Sequence, residues 1–293
     1  MRADDHTRGL DVPVSREALD ASALRRAVLR PGGLWRAVEV TAVTGSTNAD
    51  LLARAAAGAP EGVVLAAEEQ TAGRGRRGRA WVSPPRAALT FSLLVRPAAV
   101  PPARRGWLPL LAGVAAAEAV RTAAGAEAWL KWPNDLLAAA PGTAGGTRGK
   151  LGGILAEAAG PAVVVGIGIN VSAGPGELPP ANARSPAATS LRLAGAACLD
   201  RERLLAAVLA GFARWYLPWR RDGGDPERCG LRRAYTRLCD TFGRRVRVEM
   251  PGSHPLSGVA AGVDPDGRLL VRVAPGSGTP EVAVAAGDVV HLR

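Results

Sequence analysis

Lysine is nearly absent from this chain: among 293 residues, only Lys131 and Lys150 are lysine. The 37 basic residues are therefore almost all arginine, and against 26 acidic ones they leave a formal net charge of +11. Where guanidinium is used nearly everywhere, the two ammonium groups become candidates for a task that needs a compact point charge. Cysteine is scarce too. Cys198, Cys229 and Cys239 are odd in number and show no C-x-x-C spacing, which argues against a disulfide scaffold and points to a reducing cytoplasm. His6, His254 and His291 stand far apart, so the sequence offers no metal-ligand cluster. Aromatic residues make up only 4%, too few for the stacking platforms of single-strand binders. The first ten residues are polar and charged, unlike a signal peptide, and no apolar run is long enough to span a bilayer.

What is present is a hydrophobic share of 47%, enough for a sizeable core in one large domain with an appendage or in two domains. The most unusual stretch is Gly73-Arg74-Gly75-Arg76-Arg77-Gly78-Arg79, followed by Ala80-Trp81. Guanidinium supplies charge and forked donors, while glycine lets backbone N–H groups approach the same oxygens, so the pattern suits an oxyanion ligand. A flexible RNA-binding linker has the same composition. Apolar strand-like runs at 62–67 and 89–95 flank the stretch and favour an ordered loop.

Pattern reading gives a polar N-terminus and one helix to about residue 30, a strand over 35–43, a helix over 49–57 ended by Gly58, and the strand 62–67. After the strand 89–95 come a long apolar helix over 107–124 and a strand over 127–131 that runs into Trp132-Pro133-Asn134-Asp135. The glycine-rich segment 138–147 reads as a surface loop. Residues 150–157 and 162–171 read as an antiparallel hairpin, and Asp200 as the cap of a helix over 201–216. From about residue 241 the texture changes to five short strands, with a turn at Asp264-Pro265-Asp266-Gly267. The expected organisation is an N-terminal tail and helix (1–33), a mixed α/β domain (34–240) and a small barrel (241–293).

Four further stretches stand near element ends: Gly45-Ser46-Thr47-Asn48, Lys131-Trp132-Pro133-Asn134-Asp135, Gly149-Lys150-Leu151-Gly152-Gly153 and Gly166-Ile167-Gly168-Ile169-Asn170. None is diagnostic alone; Gly149-Lys150 is not a Walker A and Gly166-Ile167-Gly168 is not a dinucleotide fingerprint. In this order, and together with the arginine loop and Ala188-Thr189-Ser190-Leu191, they closely resemble the biotin protein ligases. The resemblance covers about residues 44–193, with a weaker match in the C-terminal barrel. It implies an α+β fold: a mixed sheet flanked by helices, of the class II synthetase-like biotin/lipoate ligase type, with a C-terminal SH3-like β-barrel.

The resemblance also implies an activity: biotin and ATP give biotinyl-5′-adenylate, and the biotinyl group then passes to a lysine of a biotin carboxyl carrier domain of an acyl-CoA carboxylase. By that likeness Ser46, Thr47, Asn48 and Gln70 meet the biotin ureido ring, with Arg74, Gly75, Arg76 and Lys150 completing the biotin site. Gly73, Arg74, Arg76, Arg77, Trp81, Lys131, Asn134 and Asn170 fall to ATP and the adenylate. Lys150 is the foremost catalytic candidate, bridging carboxyl and α-phosphate, and Arg76 would hold the mixed anhydride. Asp135 either binds Mg²⁺ or orients the incoming amine. Trp81 and Trp132 serve as ligand walls or as core. Residues before Trp35 are too few for the winged helix of the two-function members, so operator binding is not expected; monomer and homodimer stay open. The rival readings are a lipoate or octanoate ligase, and a basic RNA-binding or regulatory protein.

Overall fold

The computed structural model describes residues 16–140, 147–180, 186–250, 254–273 and 281–292. In chain order its elements are α1 (Ala21–Val28), β1 (Ala37–Thr44), α2 (Thr47–Ala56), β2 (Val63–Gln70), β3 (Ala88–Val95), α3 (Trp107–Ala119), β4 (Ala128–Lys131), β5 (Asp135–Ala139), β6 (Arg148–Ala159) and β7 (Ala162–Asn170). They continue with α4 (Arg201–Arg221), α5 (Leu231–Leu238), β8 (Arg245–Glu249), β9 (Leu256–Val263), β10 (Leu269–Arg272), β11 (Glu281–Val284) and β12 (Asp288–His291). Seven strands form one sheet in the order β1-β2-β3-β7-β6-β5-β4, and five form a second, β11-β10-β9-β8-β12. Only β1 and β2 pair in parallel, with α2 as their crossover; β8–β12 pair wholly antiparallel, consistent with a small barrel-like unit.

Side-chain alternation divides the large sheet into two chemically different faces. Leu89, Phe91 and Leu93 of β3 and Val163, Val165, Ile167 and Ile169 of β7 are buried in the main core with α3 and α4. On the opposite face Leu94, Ala162 and Val164 pack with Leu51 and Ala55 of α2. Further along this face the apolar residues give way to Thr90 and Ser92 on β3 and to Gly166 and Gly168 on β7, with Thr90 opposite Gly168 and Ser92 opposite Gly166. Here only the first turn of α2 reaches the sheet, through Thr47 and Asn48, and the small residues leave a hollow beside it. The cavity floor is thus a change of residue size along two strands.

The barrel docks through tryptophan donors. Trp107 Nε1 donates to Pro265 O at 2.9 Å and Trp132 Nε1 to Gly267 O at 3.1 Å, so the predicted Asp264–Gly267 turn is one of the barrel's contact surfaces. Trp132 N also donates to Thr241 Oγ1 at 3.1 Å, and Thr241 Oγ1 lies 3.2 Å from His291 Nε2.

Three sequence expectations change. Residues 138–139, expected in a loop, end the strand β5, which forms because β4 and β6 both pair with it despite its small side chains. Residues 141–146 of that segment lie outside the described residues. The helix expected to end near residue 216 runs to Arg221 through Pro218, anchored by buried Trp219. An unforeseen helix, α5, buries Leu231, Ala234, Tyr235 and Leu238. The helix over 107–124 is continuous but widens into a π-turn over Val120–Ala124 before Gly125, at φ +68°, ends it.

Candidate active site

The hollow is the mouth of a cavity of about 220 Å³ lined by the start of α2, the arginine loop, Thr90 and Phe91 of β3, the β4–β5 turn, the glycine-bearing face of β6 and β7, Pro179, Pro180, Pro186 and Ala188, and the barrel strand β12. Strand β1 ends at Thr44, and Ser46 then caps α2, its Oγ accepting from Ala49 N at a long 3.5 Å. Ser46, Thr47 and Asn48 are 5, 3 and 4% exposed, though all are polar. Burial requires partners for such groups. Thr47 N donates to Gln70 Oε1 at 2.8 Å, and Thr47 Oγ1 lies 2.7 Å from Ser92 Oγ and 3.1 Å from Gln70 Oε1. Asn48 Nδ2 donates to Glu157 Oε2 at 2.7 Å and Leu155 O at 3.2 Å, while its Oδ1 accepts from Ser92 Oγ at 2.6 Å.

The arginine stretch folds as a small closed hairpin. Arg74 bridges Ala80, Gly75 N donates to Arg79 O at 2.6 Å, and Trp81 N to Gly73 O at 2.9 Å. Arg77 and Gly78 make the tight reversal at φ +57° and +72°, a conformation that glycine adopts freely and arginine does not. The hairpin is fastened to the barrel: Arg77 Nη1 is 3.0 Å from Asp288 Oδ2, Arg79 Nη2 is 2.5 Å from Asp288 Oδ1, and Arg77 Nη1 donates to Glu249 O at 3.3 Å. The two arginines hold the Asp288 carboxyl below its ordinary range against the opposing effect of burial. Arg76 turns the other way, toward Asn134 Oδ1 at 3.4 Å. Burial lowers its guanidinium pKa, with Asp288 and Asp135 opposing.

Both lysines face this cavity. Asp135 lies opposite Lys131 in the β4–β5 register, and Lys150 Nζ reaches Asp135 Oδ1 at 2.6 Å from β6. The Lys150 backbone is pinned on its other side, donating to Ala187 O at 2.8 Å and accepting from Thr189 N at 2.9 Å. Lys131 is 6% exposed. Burial lowers its pKa, Asp135 opposes the shift, and Lys150 adds to it. An ammonium in that setting gains from an arriving anion.

Asn134 Nδ2 donates to Ile154 O at 3.0 Å, and Asn170 Nδ2 to Thr189 O at 2.9 Å. Trp81 lies on Gly168: a Cβ there would fall 2.6 Å from the indole carbons Cε2 and Cζ2. Its Nε1 is buried with no partner among the described residues.

Residues 40–173 match the biotin/lipoate A/B protein ligase family, and residues 241–292 match the biotin protein ligase C-terminal domain. The biotin–[acetyl-CoA-carboxylase] ligase of Mycobacterium tuberculosis is 45% identical over 95% of this chain and 97% of its own. This chain belongs to the biotin protein ligase family. The ligase of Paracoccus denitrificans with the same description is 34% identical, over 78% of this chain and 91% of that one. Among solved structures, the biotin protein ligase of Aquifex aeolicus in complex with biotin and ATP superposes with a TM-score of 0.67 at 25% identity. It covers 87% of this chain and 98% of that one.

Of the residues singled out in this biotin protein ligase sequence, Ser46, Thr47, Asn48, Gln70, Arg74, Gly75, Arg76, Trp81, Lys131, Asn134, Asp135, Lys150 and Asn170 all line the one cavity. Gly73 and Arg77 are not on its wall; Gly73 closes the hairpin and Arg77 faces Asp288 and Glu249. Asn48 has its amide committed to Glu157, Leu155 and Ser92. Sequence reasoning missed Ser92, Glu157 and Asp288. Thr90 and Ser92 were detectable as polar residues two apart in an otherwise apolar strand; nothing local marks Asp288.

Proposed function

We propose that this protein joins biotin to ATP as biotinyl-5′-adenylate and transfers the biotinyl group to a lysine of a carboxylase's carrier domain. The observation that carries this reading is the convergence of Lys131, Lys150, Arg74 and Arg76 on one cavity, beside the buried polar cluster of Ser46, Thr47 and Gln70. A cationic end and a polar, hydrogen-bonding end suit a substrate with a carboxylate at one end and a cyclic urea at the other. The match of residues 241–292 to the biotin ligase C-terminal domain supports biotin over a lipoyl or octanoyl chain.

For adenylation, the biotin carboxylate must approach the α-phosphate, and two anions repel. Lys150 and Arg76 lower that repulsion and stabilise the charge that builds at phosphorus, a preorganised electrostatic contribution. Lys131, short of counter-charge, favours triphosphate binding. The reaction releases pyrophosphate. In the second step the acceptor lysine must lose a proton as its nitrogen attacks the acyl carbon and AMP departs; Asp135, beside Lys150, is the carboxylate placed to receive it.

ATP chemistry of this kind uses Mg²⁺. Among the described residues no group of three or more His, Cys, Asp or Glu gathers, which fits a cation that takes one or two carboxylates and the substrate's own phosphates. Asp135 would hold it, because both Asp288 oxygens are engaged by arginines. No helix among the described residues is long and apolar enough to cross a membrane, and the cysteines are free; a cytoplasmic site of action accords with both.

The test is incubation with biotin, ATP, Mg²⁺ and a purified carrier domain. A mass gain of one biotinyl group on the acceptor lysine, with biotin-dependent pyrophosphate exchange, is expected. Absence of both overturns the reading.

A further inference from the structure

We propose that Ser92 and Glu157 are positioning residues that impose a direction on the hydrogen-bond chain behind the polar end of the cavity, so that Thr47 meets a ligand as an acceptor. The proposal rests on the reading that this end receives the biotin ring. Ser92 is fully buried, and neither residue lines the cavity.

Donor and acceptor chemistry commits the protons of Ser92 and Thr47 to partners inside the protein. Leu155 O can only accept, and Glu157 Oε2 sits 2.7 Å from the same Asn48 nitrogen. The Asn48 amide is therefore fixed with Nδ2 toward these two and Oδ1 toward Ser92. Oδ1 can only accept, so Ser92 Oγ spends its single proton on it at 2.6 Å. Thr47 Oγ1 then receives no proton from Ser92, and its own single proton has two acceptors within the chain, Ser92 Oγ at 2.7 Å and Gln70 Oε1 at 3.1 Å. Gln70 is fixed independently: its Oε1 accepts Thr47 N–H at 2.8 Å, which turns Nε2 outward as a donor with no partner among the described residues.

The cavity end therefore offers lone pairs on Thr47 and an N–H on Gln70. That pair complements a ring in which N–H adjoins C=O. A hydrocarbon or dithiolane tail offers neither group, and buried polar groups left without partners are a strong basis for rejecting a substrate. Gly166 belongs to the device, because a Cβ at that position would fall 2.2 Å from Asn48 Oδ1.

The experiment measures biotin-dependent pyrophosphate exchange with biotin and with each singly N-methylated biotin, for the wild-type chain and for Ser92→Ala, Glu157→Gln and Glu157→Leu. Wild type should prefer biotin to at least one N-methyl compound by about a hundredfold in kcat/KM. Ser92→Ala should raise KM for biotin about tenfold, keep kcat and the KM for ATP within about twofold, and shrink that preference about tenfold. Glu157→Gln retains an acceptor for Asn48 and should stay within about threefold of wild type, whereas Glu157→Leu should follow Ser92→Ala. A Ser92→Ala protein with the wild-type KM and preference overturns the proposal, as does Glu157→Gln damaged as much as Glu157→Leu. Exchange absent from the wild-type chain itself would overturn the biotin reading, and this proposal with it.

Discussion

At the scale of single residues, the two lysines are distinguished by their surroundings. Lys150 is tied to Asp135 and pinned through its backbone, whereas Lys131 is more deeply buried and has no ion-pair partner among the described residues. Their replacement should separate accordingly. Lys150→Ala is expected to slow pyrophosphate exchange by about a hundredfold or more, the scale of losing one preorganised electrostatic contact, while lowering unfolding stability by only about 1–2 kcal/mol for a partly buried ion pair; parallel exchange and urea-unfolding measurements check both. Gly168 gives a second residue-scale prediction. Because a Cβ would enter the Trp81 indole, Gly168→Ala should displace that ring, shift its fluorescence to the red and raise KM for biotin with little change in unfolding midpoint.

At the scale of elements, the contact between the arginine hairpin and β12 matters most. Arg77 and Arg79 grip one carboxylate on a strand more than two hundred residues away, so the barrel helps shape the loop that covers the cationic end of the cavity. Asp288→Asn keeps the shape and removes the charge. Trypsin, which cuts after arginine, should then cleave between residues 74 and 79 several-fold faster than in wild type, and an unchanged rate would show that Asp288 does not restrain the hairpin. The same strand carries His291, whose pKa is pushed down to about 4, chiefly by burial and next by the Lys131 charge. Its folded value lies below the unfolded one, near 6.5. Its neutral form therefore supports the fold above about pH 6.5, and that support is lost as pH falls toward 4. A His291→Gln protein should show a flatter stability profile across that interval, read from urea midpoints.

At the scale of the whole molecule, the N-terminal segment, β2 and α4 are joined by one buried ion pair. Arg201 Nη1 lies 2.6 Å from Glu68 Oε2, both side chains 7% exposed, and Leu19 N donates to Glu68 Oε1 at 2.5 Å. Removing one partner leaves a charge in the interior, so Glu68→Ala should cost about 3–5 kcal/mol and lower the thermal midpoint, although neither residue lines the cavity. Net charge acts at the same scale. With a formal charge of +11, association with an acidic carrier domain should slow as ionic strength rises, while pyrophosphate exchange, which needs no carrier, should change much less.

The sequence by itself determined the composition of the site and most of the elements. Its repeated glycine-flanked polar blocks, the two isolated lysines and the arginine hairpin carry local chemical meaning, and most of the singled-out residues meet at one cavity. Apolar runs bounded by turn residues were enough to place β3, β7 and α3, because an element buried on most of its sides reads as a near-continuous apolar stretch. Tertiary structure alone decided what depends on distant partners. The strand β5 exists because two neighbours satisfy its backbone. Arg77 and Arg79 find their counter-charge on the barrel, and Asn48 is oriented by Ser92 and Glu157. A hydrogen bond or an ion pair is set by distance in space, and separations of forty to two hundred residues leave no periodic trace for a sequence to show.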